Sequence, residues 1–363
     1  GTLNIGEIRN GKYYDLKDII EQDKESYKNS LSISGDSILS ILKENNLKNG
    51  YYYLSVNGEK YPAHVYVYDG DTTFSENMTF GDENDVATEN GYAQNMVIVK
   101  VNGNLTINEG VTVNPYYTEY GGPKGFTLYV TGKLINNGTI DNSHGAKAEG
   151  QNVYLWKNSD GTYEYIPAEG GAKDTAGTGR QTGGGGTGIY ATPGSGAAGT
   201  SYSGGAGGVS SCGSNGSENG GAGGSGKSCG SVTAGGAGNP GGKGNSSTNG
   251  KNGTGGLLII YADSYQNAGI ISANGSNGSI YGSSIRGGGS GGGSINIFTN
   301  QDTGINQLGI ITDTKYEEIL GNNSYIGGVT NAGKGTLNIG EIRNGKYYDL
   351  KDIIEQDKEK YNE

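Results

Sequence analysis

The chain is poor in most of what builds a compact enzyme. Its 363 residues include one Trp, four Phe, two Met, two His and six Pro, and 32% of it is hydrophobic. A globular core of ordinary density needs more apolar material, so the composition predicts a thin, elongated core. The apolar residues still cluster, at 96–101, 126–130 and 257–261, and that clustering argues against disorder. No apolar run approaches the ~18 residues of a membrane helix, so no membrane insertion is expected in this segment. Basic residues are outnumbered: 26 Lys and Arg face 37 Asp and Glu, for a net charge of −11. With no Lys/Arg stripe to offset it, that charge repels phosphate backbones and makes nucleic acid an unexpected partner.

Cysteine is nearly absent as well. Cys212 and Cys229 stand 17 residues apart in a glycine-rich region, without paired CxxC spacing, and His64 and His144 lie far away in sequence. That pattern does not read as a zinc site. A disulfide between the two would stabilise by ~3 kcal/mol in the chain-entropy picture and would suit an extracellular protein. Two unpaired thiols among glycines is the alternative.

What the chain does have is repetition. Residues 1–25 read GTLNIGEIRNGKYYDLKDIIEQDKE, and residues 335–359 read the same, letter for letter, at an offset of 334. The copies then part: Ser26 faces Lys360, Lys28 faces Asn362 and Asn29 faces Glu363, while Tyr27 and Tyr361 match. The expectation is one unit of a tandem array followed by the start of a related, non-identical unit, cut from a longer polypeptide. Arrays of large units usually build length.

Along the chain, residues 15–31 carry a helical pattern, with Asp15 as a candidate cap and Leu16, Ile19, Ile20 and Tyr27 on one face. A second helix is expected over 37–47, capped by Asp36 and stopped by Asn49-Gly50. Two strand-like runs, 51–56 and 61–68, flank Asn57-Gly58, a pair suited to a hairpin turn. Together these predict a small α+β head over 14–90.

Beyond it, a strand–turn–strand unit recurs. Residues 125–140 (GFTLYVTGKLINNGTI) lie on 256–271 (GLLIIYADSYQNAGII) without a gap, so that Gly125, Asn136, Gly138 and Ile140 fall on Gly256, Asn267, Gly269 and Ile271. Looser copies start at Gly293 (SINIF…LGII) and Met96 (VIVKVNGNLTINEGVTV), with a fragment at Gly335 (TLNIGEI). One such rung cannot bury its own apolar face, but a stack of rungs can. The pattern predicts a mainly β protein with a parallel β-solenoid over 91–169 and 256–344; a β-sandwich of hairpins is the competing reading.

Residues 170–255 interrupt the rungs, and about two in five of them are glycine. Gly235, Gly238, Gly241, Gly244, Gly250, Gly253 and Gly256 share a register of three, as do Gly220, Gly223 and Gly226. A polyproline-II helix has three residues per turn, so this spacing gives one bare face along which helices can approach closely. A polyglycine-II-like lobe and a flexible glycine-rich loop both remain open.

The rungs, together with the glycine run GGAGG…GGAGNPGGKG, resemble glycine-rich tandem-repeat proteins of bacterial surfaces and phage tail fibres, including haemagglutinin-type adhesins. The resemblance covers about residues 96–334 and rests on the style of repeat. It implies an extracellular or cell-surface location, a shape-defining role and, as an alternative, adhesion to a host receptor or glycan.

Candidate chemistry is sparse. Asp141 sits near His144, but its aligned position is Ser272, so no column of carboxylates forms as in β-helical polysaccharide-cleaving enzymes; no enzyme is expected. Residues 81–85 (GDEND) and the pair Asp69/Asp71 offer oxygen ligands for calcium, without EF-hand spacing; a solvated acidic loop is the alternative, and no other cofactor is expected. Gly183–Gly186 are not followed by the GK[ST] of a phosphate loop. Tyr116, Tyr117 and Tyr120 are candidate sugar-stacking aromatics, and Tyr190 and Tyr202 are the favoured glycan contacts. Residues 1–13 are expected to be the last strand of a preceding unit and 345–363 the start of the next. Thr336, Leu337, Ile339 and Ile342 would form the junction strand between neighbouring copies, joined in tandem, with lateral self-assembly left open.

Overall fold

The computed structural model of the chain describes residues 32–88, 93, 95–145, 255–276, 292–300, 336–343 and 346–350. It also describes strand segments at 6–9, 12–15, 154–157, 163–165, 209–212, 217–219, 225–229, 232–235, 280–281, 285–286 and 323–325. The described residues are mainly β. The strands are β1 (Gly6–Arg9), β2 (Lys12–Asp15), β3 (Ser32–Ser34), β4 (Gly50–Val56), β5 (Glu59–Asp69), β6 (Thr72–Phe74), β7 (Met78–Phe80), β8 (Met96–Asn102), β9 (Leu105–Ile107), β10 (Thr112–Pro115), β11 (Gly125–Asn136) and β12 (Thr139–Asp141). They continue as β13 (Tyr154–Lys157), β14 (Tyr163–Tyr165), β15 (Val209–Cys212), β16 (Ser217–Asn219), β17 (Ser225–Cys229), β18 (Val232–Gly235), β19 (Leu257–Asn267), β20 (Ile270–Ser272), β21 (Ile280–Tyr281), β22 (Ile285–Arg286), β23 (Ser294–Asn300), β24 (Asn323–Tyr325), β25 (Thr336–Arg343) and β26 (Lys346–Asp349).

Helix α1 (Ile38–Glu44) begins one residue later than the expected start at Ser37. Ser37, not Asp36, is the N-cap: the Ser40 amide donates to Ser37 Oγ at 3.0 Å, and the Ser37 amide donates to Ser40 Oγ at 2.9 Å. This reciprocal pair satisfies two otherwise orphaned amides. The helix stops at Glu44 instead of reaching Leu47, and Asn45 Nδ2 donates back to the Ile41 carbonyl at 2.9 Å. Ile38, Leu39, Ile41 and Leu42 are all buried. Lys100, itself buried in β8, donates its Nζ to the Asn45 carbonyl at 3.0 Å, a cation placed at the negative end of the helix. Burial holds its ammonium below the usual lysine range, against an opposing pull from Asp69. Asp15 ends β2; the rest of the helix expected over 15–31 lies outside the described residues.

The hairpin at Asn57-Gly58 is present. Asn57 has φ 51° and Gly58 φ 77°, and β4 pairs antiparallel with β5 across them. Two consecutive positive φ values match the twist of the flanking strands.

From β5 to β25 the strands of the two large sheets pair in parallel. The main sheet runs β26-β25-β23-β19-β11-β8-β5-β4-β3, with β6 and β9 alongside; the second sheet runs β24-β20-β12-β10-β7. Five successive passes of the chain each place a strand in both sheets, in the same spatial order: β5–β7, β8–β10, β11–β12, β19–β20 and β23–β24. Each pass therefore stacks on the one before. The first of them, residues 59–80, falls inside the segment read from sequence as the head. It matches the next pass at an offset of 33, with Ala63 beside Met96, Asp69 beside Asn102 and Thr72 beside Leu105.

Two details of the expected rungs change. The gapless alignment of 125–140 on 256–271 holds only in its second half. Lys133, Asn136 and Ile140 pair with Ser264, Asn267 and Ile271, but Phe126 pairs with Leu258 and Val130 with Ala262. A bulge between Val130 and Lys133 absorbs the difference, and it restores the face that a one-residue slip would have inverted. In the fifth pass, the place given to LGII is taken by β24, which pairs with β20; residues 308–311 lie outside the described residues.

Both faces of the main sheet are covered. Val97, Val99, Val101, Leu128, Leu258, Ile260, Ile295 and Ile297 point into a core shared with Val113, Ile140 and Ile271 of the second sheet. Met96, Ile98, Ile259 and Phe298 face the other way, in a second cluster with Ile41 and Leu42 of α1 and Tyr61, Ala63 and Val65 of β5. This is why 96–99 and 257–262 read as unbroken apolar runs. The corners between strands are tight. A Cβ on Gly103 would lie 2.5–2.7 Å from the backbone of Gly70 and Asp71 in the pass beneath.

In the glycine-rich segment the described pieces are short antiparallel pairs, β15 with β16 and β22, and β17 with β18. Gly226 and Gly235 thus lie in β-strands and not in polyglycine-II turns. Most of the other register positions lie outside the described residues, as do Tyr190, Tyr202 and the side chains of Cys212 and Cys229.

Candidate functional site

The repeated segment marks the end of the stack. Parallel strand β25 adds to β23, placing Thr336, Leu337, Ile339 and Ile342 beside Ser294, Ile295, Ile297 and Asn300. Ile339 continues a column that begins at Tyr66 and runs through Val99, Leu128, Ile260 and Ile297. It is 3% exposed and shares their core, and Leu337 packs against the same cluster. Asn338 Nδ2 donates to Asn296 Oδ1 at 2.7 Å, and Asn296 Nδ2 donates to the Leu258 carbonyl at 3.2 Å. These amide rungs fix the strand's register against the stack.

The segment is a hairpin, not a single strand. β26 folds back antiparallel on β25, pairing Gly340 with Asp349, Glu341 with Tyr348, Ile342 with Tyr347 and Arg343 with Lys346. The turn pair Asn344-Gly345 was a readable sequence signal, as at Asn57-Gly58, but the strand was expected to pass directly into a helix. Leu350, the helical residue that follows β26, is fully buried in the core between the two sheets. The hairpin and Leu350 together cover the end of that core.

The first copy forms the same hairpin. β1 and β2 pair Gly6 with Asp15, Glu7 with Tyr14, Ile8 with Tyr13 and Arg9 with Lys12, the same four pairs in the same register. Among the described residues, however, β1 and β2 make a two-stranded sheet of their own, while β25 and β26 extend the main sheet. One sequence therefore occupies two settings in one chain.

A second cluster lies at the opposite end. His64 projects from β5, stacks on Tyr51 at a ring-centroid distance of 4.1 Å and lies tilted by 33° against Tyr66 at 4.5 Å. Its Nδ1 is 2.8 Å from Asp85 Oδ2. Asp85 is fully buried and also accepts from the Asp82 amide at 2.8 Å and from Asn95 Nδ2 at 2.8 Å. Tyr51 Oη donates to Asp82 Oδ2 at 3.3 Å, and the Gly81 amide donates to Tyr66 Oη at 3.0 Å. Burial, with the Asp85 and Asp82 carboxylates nearby, raises the Tyr51 phenol well above its ordinary range and pushes Tyr66 up to about 12. Ligand atoms of His64, Asp82 and Asp85 lie within 4.8 Å of one another, a set that could hold a metal ion. In the arrangement seen, their hydrogen bonds pin loop 81–85 to the sheet.

The other sequence candidates are separated by the fold. Asp69 accepts from Asn102 Nδ2 at 2.8 Å, and Asp71 accepts from the Asn104 amide at 2.8 Å, so both serve as ladder rungs between the first two passes. Those bonds hold the Asp71 carboxyl below its usual range. Asp141 does lie beside Ser272, and it accepts from Ser143 Oγ at 2.5 Å. His144 instead stacks on the exposed Tyr117 at 3.7 Å, and burial lowers its pKa, against an opposing pull from Asp141. Tyr120 packs against the α1-side core.

Comparison of the chain with protein-family models, with curated proteins and with solved structures finds no match. Among the described residues, no helix is long and apolar enough to cross a membrane.

Proposed function

We propose that the chain is a structural repeat unit of a long extracellular fibre or cell-surface protein, built as a parallel β-solenoid closed by the opening segment of the next repeat. The observation that carries this reading is the placement of Ile339 and Leu350 in the same core as Val99, Leu128, Ile260 and Ile297. A stack of parallel strands ends in an unpaired edge and an open core, both of which invite association. Here the repeated hairpin supplies the missing strand, and Leu350 fills the end.

The five stacked passes support the solenoid. They share strand order across two sheets, and their cores are continuous from Phe74 to Ile339. The proposed partners are neighbouring copies of the same unit. The His64–Asp85 cluster serves this reading as a clasp at the far end, holding loop 81–85 over the first pass.

Thermal melting of the segment 1–334 against 1–363 tests the proposal. The shorter chain, lacking the closing hairpin, is expected to melt lower. Coincident midpoints would remove the basis for the joint.

A further inference from the structure

We infer that the first copy of the repeated hairpin is a donor element, able to close the β23 end of a second molecule of this chain. The inference rests on the joint proposed above and names the partner: residues 2–16 of another copy, seated where 336–350 sit in this one.

Three observations carry it. The two segments are identical over 25 residues, so every side chain that 336–350 presents to β23 is also present in 2–16. The four antiparallel pairs of β1–β2 reproduce those of β25–β26 in register, so the first copy is already folded into the hairpin the site accepts. The receiving surface is defined by its present occupant: seven parallel pairs from Ser294–Thr336 to Asn300–Ile342, the Asn338–Asn296 amide bond, and the apolar contacts of Ile339 and Leu350 with the core. By identity, Leu3, Asn4, Ile5 and Leu16 would take the places of Leu337, Asn338, Ile339 and Leu350.

The site takes one hairpin at a time. The tethered copy competes at a high effective concentration, so the intact chain stays closed on itself, and exchange appears when that copy is weakened. Donor and acceptor lie on different parts of the molecule, so pairing between molecules is head-to-tail, and such contacts extend into filaments where the rotation does not close.

The test uses the full 1–363 chain carrying Ile339→Asp, which places a charge on the core side of the tethered copy and leaves the first copy intact. Sedimentation over a range of protein concentrations is expected to show a shift from the mass of one chain to two and above. Excess synthetic peptide of residues 1–25 should return it to the mass of one chain. Adding Ile5→Asp to the same chain should abolish the larger species. Should Ile339→Asp unfold the body, Ile339→Ala with Leu350→Ala provides the same weakening without a buried charge, and amide exchange over 96–141 reports whether the stack is folded. A folded but strictly monomeric Ile339 variant that melts below the unaltered chain would overturn the donor inference and leave the joint standing. A variant that melts with the unaltered chain would overturn the joint itself. Oligomers that persist with Ile5→Asp, or that ignore the peptide, would show exposed-core aggregation and would also overturn the inference.

Discussion

Asn136 and Asn267 lie one above the other in successive passes, and the Nδ2 of Asn136 donates to the Oδ1 of Asn267 at 2.8 Å. Both are buried. Asn267 Oδ1 also accepts from the Gly269 amide at 3.2 Å, and Asn136 Nδ2 reaches the Ile270 carbonyl at 3.3 Å. The pair thus ties together the turns of two passes, just beyond the bulge where their register changes. Asn267→Ala removes an acceptor from two buried donors. It is expected to cost about 1–3 kcal/mol, read as a lower midpoint of denaturant unfolding with an unchanged slope.

Corner geometry gives a second prediction. The position of Gly103 over Gly70 and Asp71 leaves no room for a side chain, and the obstructing atoms are backbone. Gly103→Ala should destabilise by about 1–3 kcal/mol, the range of overpacking, despite Ala's smaller conformational entropy in the unfolded chain. Gain of stability would show that adjacent passes can move apart at this corner.

The clasp at His64 gives a third. Asp85→Ala removes the acceptor for His64, Asn95 and the Asp82 amide at once. A loss of about 3 kcal/mol is expected for breaking a buried, charge-assisted network. Amide exchange should quicken first in 81–87 and leave β19 and β23 protected. Uniform acceleration would mean that the cluster supports the whole body.

The tyrosines set the response to base. Burial raises the folded-state pKa of Tyr66 and of Tyr261 to about 12, from an ordinary value of 10.0. Their neutral forms are favoured in the fold, so the stability they contribute is fully present below pH 10 and is lost as pH rises through about 12. A pH titration of unfolding should show loss of β structure over that interval, accompanied by phenolate absorbance. Tyr66→Phe should make the decline shallower, because one of the groups that must ionise is gone.

Much of the body was legible in the sequence because stacked passes repeat their turn residues. Asn136, Gly138 and Ile140 matched Asn267, Gly269 and Ile271, and the fold keeps those pairs. The bulge before them was not legible. Residues 126–130 and 258–262 are buried on both faces, so alternation carries no register information there, and a gapless match looked as good as the true one. The first pass was hidden for a related reason. The Asn57-Gly58 hairpin drew Ala63–Asp69 toward a local reading as a head strand, although Asp69-Gly-Asp71 mirrors Asn102-Gly-Asn104. At the candidate site, the exact repeat points to the joint, while the Asn344-Gly345 pair between β25 and β26 is a sequence signal for a hairpin that the strand-to-helix reading does not use. The pairing of His64 with Asp85 could not be read at all, since it depends on how loop 81–85 returns over the sheet.

The central claim is that the second copy of the repeated sequence closes the core, whereas the described strands of the first copy, β1 and β2, pair with each other and not with the main sheet. Identical substitutions in the two copies test it most directly. Ile339→Ala and Ile5→Ala remove the same atoms from the same local sequence, so propensity and unfolded-chain effects cancel. In the isolated 1–363 chain, Ile339→Ala is expected to cost about 2–5 kcal/mol, as for a large buried aliphatic cut to Ala, while Ile5→Ala should change stability by less than about 0.5 kcal/mol. Equal losses at the two positions, or the larger loss at Ile5, would contradict the account.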